Sequence, residues 1–169
     1  MKHLLVALGA MLILPACVTT MTAAPAGTLA LKDNATVNLT QSWTSVPDAL
    51  HEAKGVVLTK DGMMLNRVHL ISVEPGKEMV DVSDKSLEYP VYSAGMSRLE
   101  QVNFVTSSLA RLGFADLKTA SVMPATLSGA DGIRFDISGK YASGLNLRGK
   151  VGMAETEAGL NMILSLIHI

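Results

Sequence analysis

Only one stretch of this chain, residues 97–113, repeats its apolar side chains at helical spacing. The readable segments on both sides of it alternate in twos. That contrast constrains the fold more than any other feature. Leu99, Val102, Val105, Leu109 and Leu112 lie three or four residues apart and share one helix face. Ser97 and Glu100 have capping-box spacing, the serine covering an orphan amide and the glutamate reaching back. Gly113 suits the left-handed position after the last turn, with Phe114 packing back on Leu109. Arg111 suits the negative pole of the helix.

Before the helix, Val37 and Leu39 alternate with Thr36, Asn38 and Thr40, and residues 55–59 form a second apolar run. Lys60-Asp61-Gly62 is a hairpin signal, and residues 63–73 form the return strand. On that strand Met63, Leu65, Arg67, His69 and Ile71 share one face; Met64, Asn66, Val68, Leu70 and Ser72 share the other. Polarity switches along each face, which predicts a bulge or a strand only partly covered. After the helix, strands are expected near 116–122, 132–140, 145–154 and 160–164, with Ile133, Phe135 and Ile137 in strict alternation. The glycine-bearing turns between them are short and predict an antiparallel meander. Strands, one helix, then strands predict an α+β domain, an antiparallel sheet with the helix laid on one face. Trp43 reads as a core or lid residue.

The amino terminus resembles a bacterial lipoprotein signal. Lys2 and His3 precede an apolar run from Leu4 to Leu14, and Leu14, Pro15, Ala16 and Cys17 stand where the lipobox would be. The run is too short to span a bilayer. The resemblance implies cleavage after Ala16 and a diacylglycerol on the Cys17 thiol. An ordinary signal peptide cut near Ala16, Ala24 or Ala26 is the alternative. Cys17 is the only cysteine, and lipidation accounts for an otherwise unpaired thiol in an exported chain. Val18 in place of aspartate leans toward the outer membrane, facing the periplasm. Residues 17–30 read as the lipidated cysteine and its flexible tether, and 31–169 as a single domain.

The turn and strand residues Leu58, Thr59, Lys60, Asp61, Gly62, Leu65, Asn66 and Val68, then Gly113-Phe114, Pro124-Ala125, Gly129 and residues 131–136, resemble a group of uncharacterised alphaproteobacterial lipoproteins. The order of elements is also similar to the Mog1/PsbP-like fold, whose members act as accessory or binding proteins. At the other end, residues 164–169 (LSLIHI) resemble the translated adapter ends of truncated gene models. The alternative is a real edge strand.

Removing Lys2 with the leader moves the formal charge from −1 to −2. No basic block is visible and aromatics make up 4 %, which argues against a nucleic-acid partner. His51, Glu52, His69 and His168 lack metal-ligand spacing, and each histidine reads as a surface residue. No GxSxG elbow or phosphate loop is present. The paired carboxylates Asp81/Asp84 and Glu155/Glu157 read as solvated loop charge. Met63-Met64 reads as core packing.

Residues 74–92 form a long charged segment. With Tyr89 and Tyr92 beside Pro90 it is a candidate recognition loop, and the alternative is that its tyrosines pack on the sheet. The sequence thus favours a non-enzymatic, lipid-anchored envelope protein with a binding or accessory domain. Its expected partners are membrane lipid through Cys17 and an envelope protein, with no cofactor, metal or nucleic acid. Two alternatives stand beside it: a periplasmic enzyme using scattered residues such as Arg67, His69 and Asp136, and a structural or stress lipoprotein without a pocket.

Overall fold

Among the described residues, ten strands, one α-helix and a single 3-10 turn at Asp48–Leu50 follow one another along the chain. The computed structural model describes residues 20–31, 36–80, 87–127 and 129–168. The strands are β1 (Thr22–Ala24), β2 (Gly27–Ala30), β3 (Thr36–Leu39), β4 (Trp43–Val46), β5 (Val56–Thr59) and β6 (Asn66–Val73). After the helix α1 (Arg98–Arg111) come β7 (Phe114–Leu127), β8 (Ala130–Tyr141), β9 (Asn146–Thr156) and β10 (Gly159–His168). The signal segment, the lipobox residues Leu14, Pro15, Ala16 and Cys17, and Asp81 and Asp84 lie outside the described residues.

Eight strands form one antiparallel sheet in the order β1-β4-β5-β6-β10-β9-β8-β7, and β2 and β3 form a separate two-stranded ribbon. This corrects the α+β expectation. The fold is predominantly β and sandwich-like, with a single 14-residue helix as its one long helical element among the described residues. Two features of the chain account for the difference. Part of the span read as tether carries β1 and β2, and the strands on either side of the helix merge into one sheet through β6 and β10. Residues 164–168 accordingly lie in an interior strand between β6 and β9, not at an edge.

Each sheet face has its own core. Toward the helix, Val57, Ile71, Val73, Phe135, Ile137 and Leu164 pack with Val102, Phe104, Val105 and Leu109 of α1. On the outer face, Leu58 and Leu70 pack with Ala24, Leu39 and Trp43, under Leu29 and Val37 of the ribbon. Each fully buried aliphatic side chain contributes about 1.5–3 kcal/mol. Trp43 is therefore part of the second core, half-buried.

The helix forms where its local signals place it. The Ser97 hydroxyl accepts from the Glu100 amide at 3.3 Å, and the Glu100 carboxylate accepts from the Ser97 amide at 2.7 Å. Gly113 takes φ +85°. The buried stripe differs from its spacing: Leu99 is 70 % exposed, while Gln101 and Ser108 are buried. Gln101 is drawn inward by Glu155 of β9, whose carboxylate accepts from its amide at 3.2 Å and from the Gly95 backbone at 2.7 Å. Glu155 is thus a structural tie rather than solvated loop charge, and Glu157 lies exposed in the following turn.

Two further segments matter for the cavity described next. Residues 60–65 turn around the Asn66 side chain, which accepts from the Lys60 amide at 3.0 Å, so β6 begins at Asn66. Gly55 takes φ +110° and lies so close to β6 that a Cβ there would sit 2.1 Å from the Leu70 carbonyl oxygen. It lets the chain at residue 55 press directly on β6, while Lys54 and Ala53 pair with Met79 and Val80.

Candidate ligand cavity

The polarity switch read along residues 63–73 has a structural meaning, and it is not a bulge. The registers of β6 with β5 and with β10 run without a shift. The inward face of β6 passes from Val73 and Ile71 in the core to His69 and Arg67, and these two line a cavity of about 520 Å3. Leu164 and Leu166 of β10 sit opposite them in register. Leu109 of α1 and Leu112 at its C-cap form the roof, Phe114 and Tyr141 one wall, and His51, Ala53, Met63 and Met79 another. His168 closes the far end of β10. The volume lies in the range of small-molecule sites, which are mostly apolar with a few convergent polar groups.

The polar groups in this cavity are unusual for a protein interior. His69 is 7 % exposed. Both ring nitrogens of His51, His69 and His168, and Nε of Arg67, are buried without a hydrogen-bond partner. Buried polar atoms are normally satisfied, and each exception calls for an explanation. The Arg67 guanidinium carbon lies 5.7 Å from the centre of the Phe114 ring, a cation–π contact. Phe114 in turn packs edge-on to Tyr141 at 5.1 Å, and Tyr141 to His168 at 6.4 Å. Among the described residues, Arg67 makes no ion pair. His51 reaches Asp48 at 3.7 Å.

Burial, then the Arg67 charge, then His51 hold His69 down at about 3, so it is a neutral imidazole at physiological pH. Burial followed by Arg67 also lowers His168. Burial lowers Arg67 itself, with Tyr141 opposing, yet a guanidinium keeps its charge. The cavity therefore presents one fixed cation beside the neutral imidazoles of His69 and His168, each offering one donor and one acceptor.

This placement corrects the reading of His51, His69 and His168 as surface residues. Arg67 and His69 share the cavity, and Asp136 does not join them. It lies on the opposite sheet face, 3.7 Å from Lys150. Among the described residues, no serine, threonine, cysteine or aspartate lines the cavity. A histidine held at about 3 is a weak general base near neutral pH. Among the described residues, no three His, Cys, Asp or Glu side chains are arranged to hold a metal ion.

The candidate recognition loop has another role. Tyr92 is fully buried, its ring 5.9 Å from Phe104, and Tyr89 packs partly buried against the same core. Backbone bonds Gly76–Tyr92 at 2.8 Å and Tyr92–Lys77 at 2.9 Å close the segment on itself. Met63 also packs on the core, whereas Met64 is 57 % exposed at the cavity's edge.

One surface escaped the linear reading. On the outer face of β7–β9, Lys118, Arg134, Lys140, Arg148 and Lys150 converge, with Asp116 and Asp136 pairing two of them. Alternation across neighbouring strands assembles a basic face that no contiguous run announces. Comparison with known proteins adds no relative: no protein-family model, no curated protein and no solved structure matches this chain.

Proposed function

We propose that this chain is a lipid-anchored bacterial envelope protein whose β-domain is a non-enzymatic binding module. In this reading the ligand sits in the cavity between α1 and β6. One observation carries it: a cavity of about 520 Å3 walled by apolar side chains, into which His69 and Arg67 turn buried polar atoms without a hydrogen-bond partner. A His69 held at about 3, and the separation of Asp136 from Arg67 and His69, favour binding over catalysis. The anchor is supported by the leader and by Leu14, Pro15, Ala16 and Cys17.

The test uses the full mature chain carrying Cys17→Ser, exported and purified without detergent. Denaturing it and analysing the supernatant by mass spectrometry should release a small molecule in stoichiometric amount. A chain that releases none, and that is not stabilised by any member of a broad small-molecule panel, overturns the binding reading.

A further inference from the structure

We propose that the cavity takes an amphipathic anion, its oxyanion head held by Arg67, His51 and His69 and its apolar body lying along Leu109, Leu112 and Met63. The inference rests on the binding reading above and adds the chemical class of the ligand. It follows from which ligand would satisfy the groups on the cavity floor.

Arg67 and His69 project from alternate positions of β6 into the same space, and His51 enters from the segment before Gly55, which itself packs on that strand. His69 is more than nine-tenths buried with both nitrogens unpartnered, and Nε of Arg67 is likewise buried and unpartnered. The Phe114 ring that Arg67 contacts accepts no ordinary hydrogen bond. The one carboxylate in the lining belongs to Glu52, which is exposed at the rim.

Three ligand classes can be weighed against this floor. A wholly apolar ligand would leave Nε of Arg67 and both nitrogens of His69 unpaired. A cation would meet Arg67 head-on. An oxyanion would accept from the guanidinium in a charge-assisted bond, which is about twice as strong as a neutral one, and from a ring N–H of His69 and of His51. The roof then dictates the rest of the molecule, because Leu109, Leu112 and Met63 offer only apolar contact. His168 also faces the cavity, but Arg67, His51 and His69 suffice for the argument.

A carboxylate and a phosphate monoester share this head chemistry, and the experiment separates them. The C17S mature chain is titrated by isothermal calorimetry with decanoate, decyl phosphate, decanol and decyltrimethylammonium. Expected is saturable one-to-one binding of decanoate or decyl phosphate, with decanol and the ammonium at least tenfold weaker. Whichever anion binds tighter names the head group. Arg67→Met should weaken the anion roughly 10- to 100-fold and leave decanol within about threefold. Arg67→Lys, which keeps charge without the planar fork, should fall between. Arg111→Met, an exposed cation on α1, should bind like the parent, and circular dichroism confirms that each variant is folded. Equal affinity for decanol and decanoate, or an Arg67→Met variant as tight as the parent, overturns the anion inference and leaves the binding module standing. Failure of all four probes to bind overturns the anion inference and counts against the binding module as well.

Discussion

Acid should destabilise this protein through His69. The side chain is 7 % exposed, and burial, Arg67 and His51 hold it at about 3 against an ordinary value of 6.5. Between those two values the unfolded chain takes up a proton that the folded chain refuses. Stability is therefore fully present above 6.5 and is lost progressively as pH falls toward 3. Each pKa unit corresponds to about 1.4 kcal/mol. Lowering the pH from about 7.5 to 5 should remove about 2 kcal/mol. In a domain of this size that is a fall in Tm of about 4–8 °C. The assay is urea unfolding of the C17S mature chain at three pH values between these limits, beside His69→Gln. The glutamine variant should lose less stability on acidification than the parent, by about that 2 kcal/mol. A residual slope of the same sign remains from His168, which is also lowered. Parallel pH profiles for parent and variant, or a parent that gains stability toward pH 5, would refute the reasoning.

Gly55→Ala should destabilise the domain by at least about 2 kcal/mol in the same assay, because the residue combines φ +110° with a Cβ position 2.1 Å from the Leu70 carbonyl. An unchanged unfolding midpoint would mean that Gly55 does not pack on β6 as described. Tyr92 behaves oppositely to His69: burial and then Glu155 push its hydroxyl up to about 12 from 10.0. Stability should decline as pH rises from 10 toward 12, and Tyr92→Phe should flatten that decline in alkaline unfolding curves. Cys17→Ser should move the protein from the membrane to the soluble fraction of lysed cells, and unchanged membrane retention would contradict the lipid anchor.

What could be read in advance divides by sequence distance. The helix cap and its glycine stop are local chemistry, carried by Ser97, Glu100 and Gly113, and the structure places them as their spacing predicts. The meander β7–β10 is likewise set by short turns. The partnership of β6 with β10 joins His69 to Leu164 across most of the domain, and no local pattern announces it. Without that pairing, the strands before the helix look like a separate block, which is how an α+β arrangement was expected from a predominantly β chain. The cavity hid for a related reason. Arg67 and His69 were placed on one face by alternation, but His51 arrives from another segment, and burial of an imidazole follows from what covers it. The signal was present as the polarity switch along β6, where polar side chains follow Ile71 toward an interior that the core does not fill. Tyr92 shows the converse: proline, charge and length marked a loop, while backbone bonds to Gly76 and Lys77 fold its end into the core.

The claim at the centre of this account is that a ligand occupies the space between α1 and β6. It is tested most directly by NMR on the isotope-labelled C17S mature chain, titrated with decanoate. The account predicts saturable shifts of the Arg67 Nε–H resonance, of the backbone amides of residues 67–71, and of residues 109–114 at the end of the helix. Shifts confined to the basic outer face of β7–β9, or none at saturating decanoate, would contradict it.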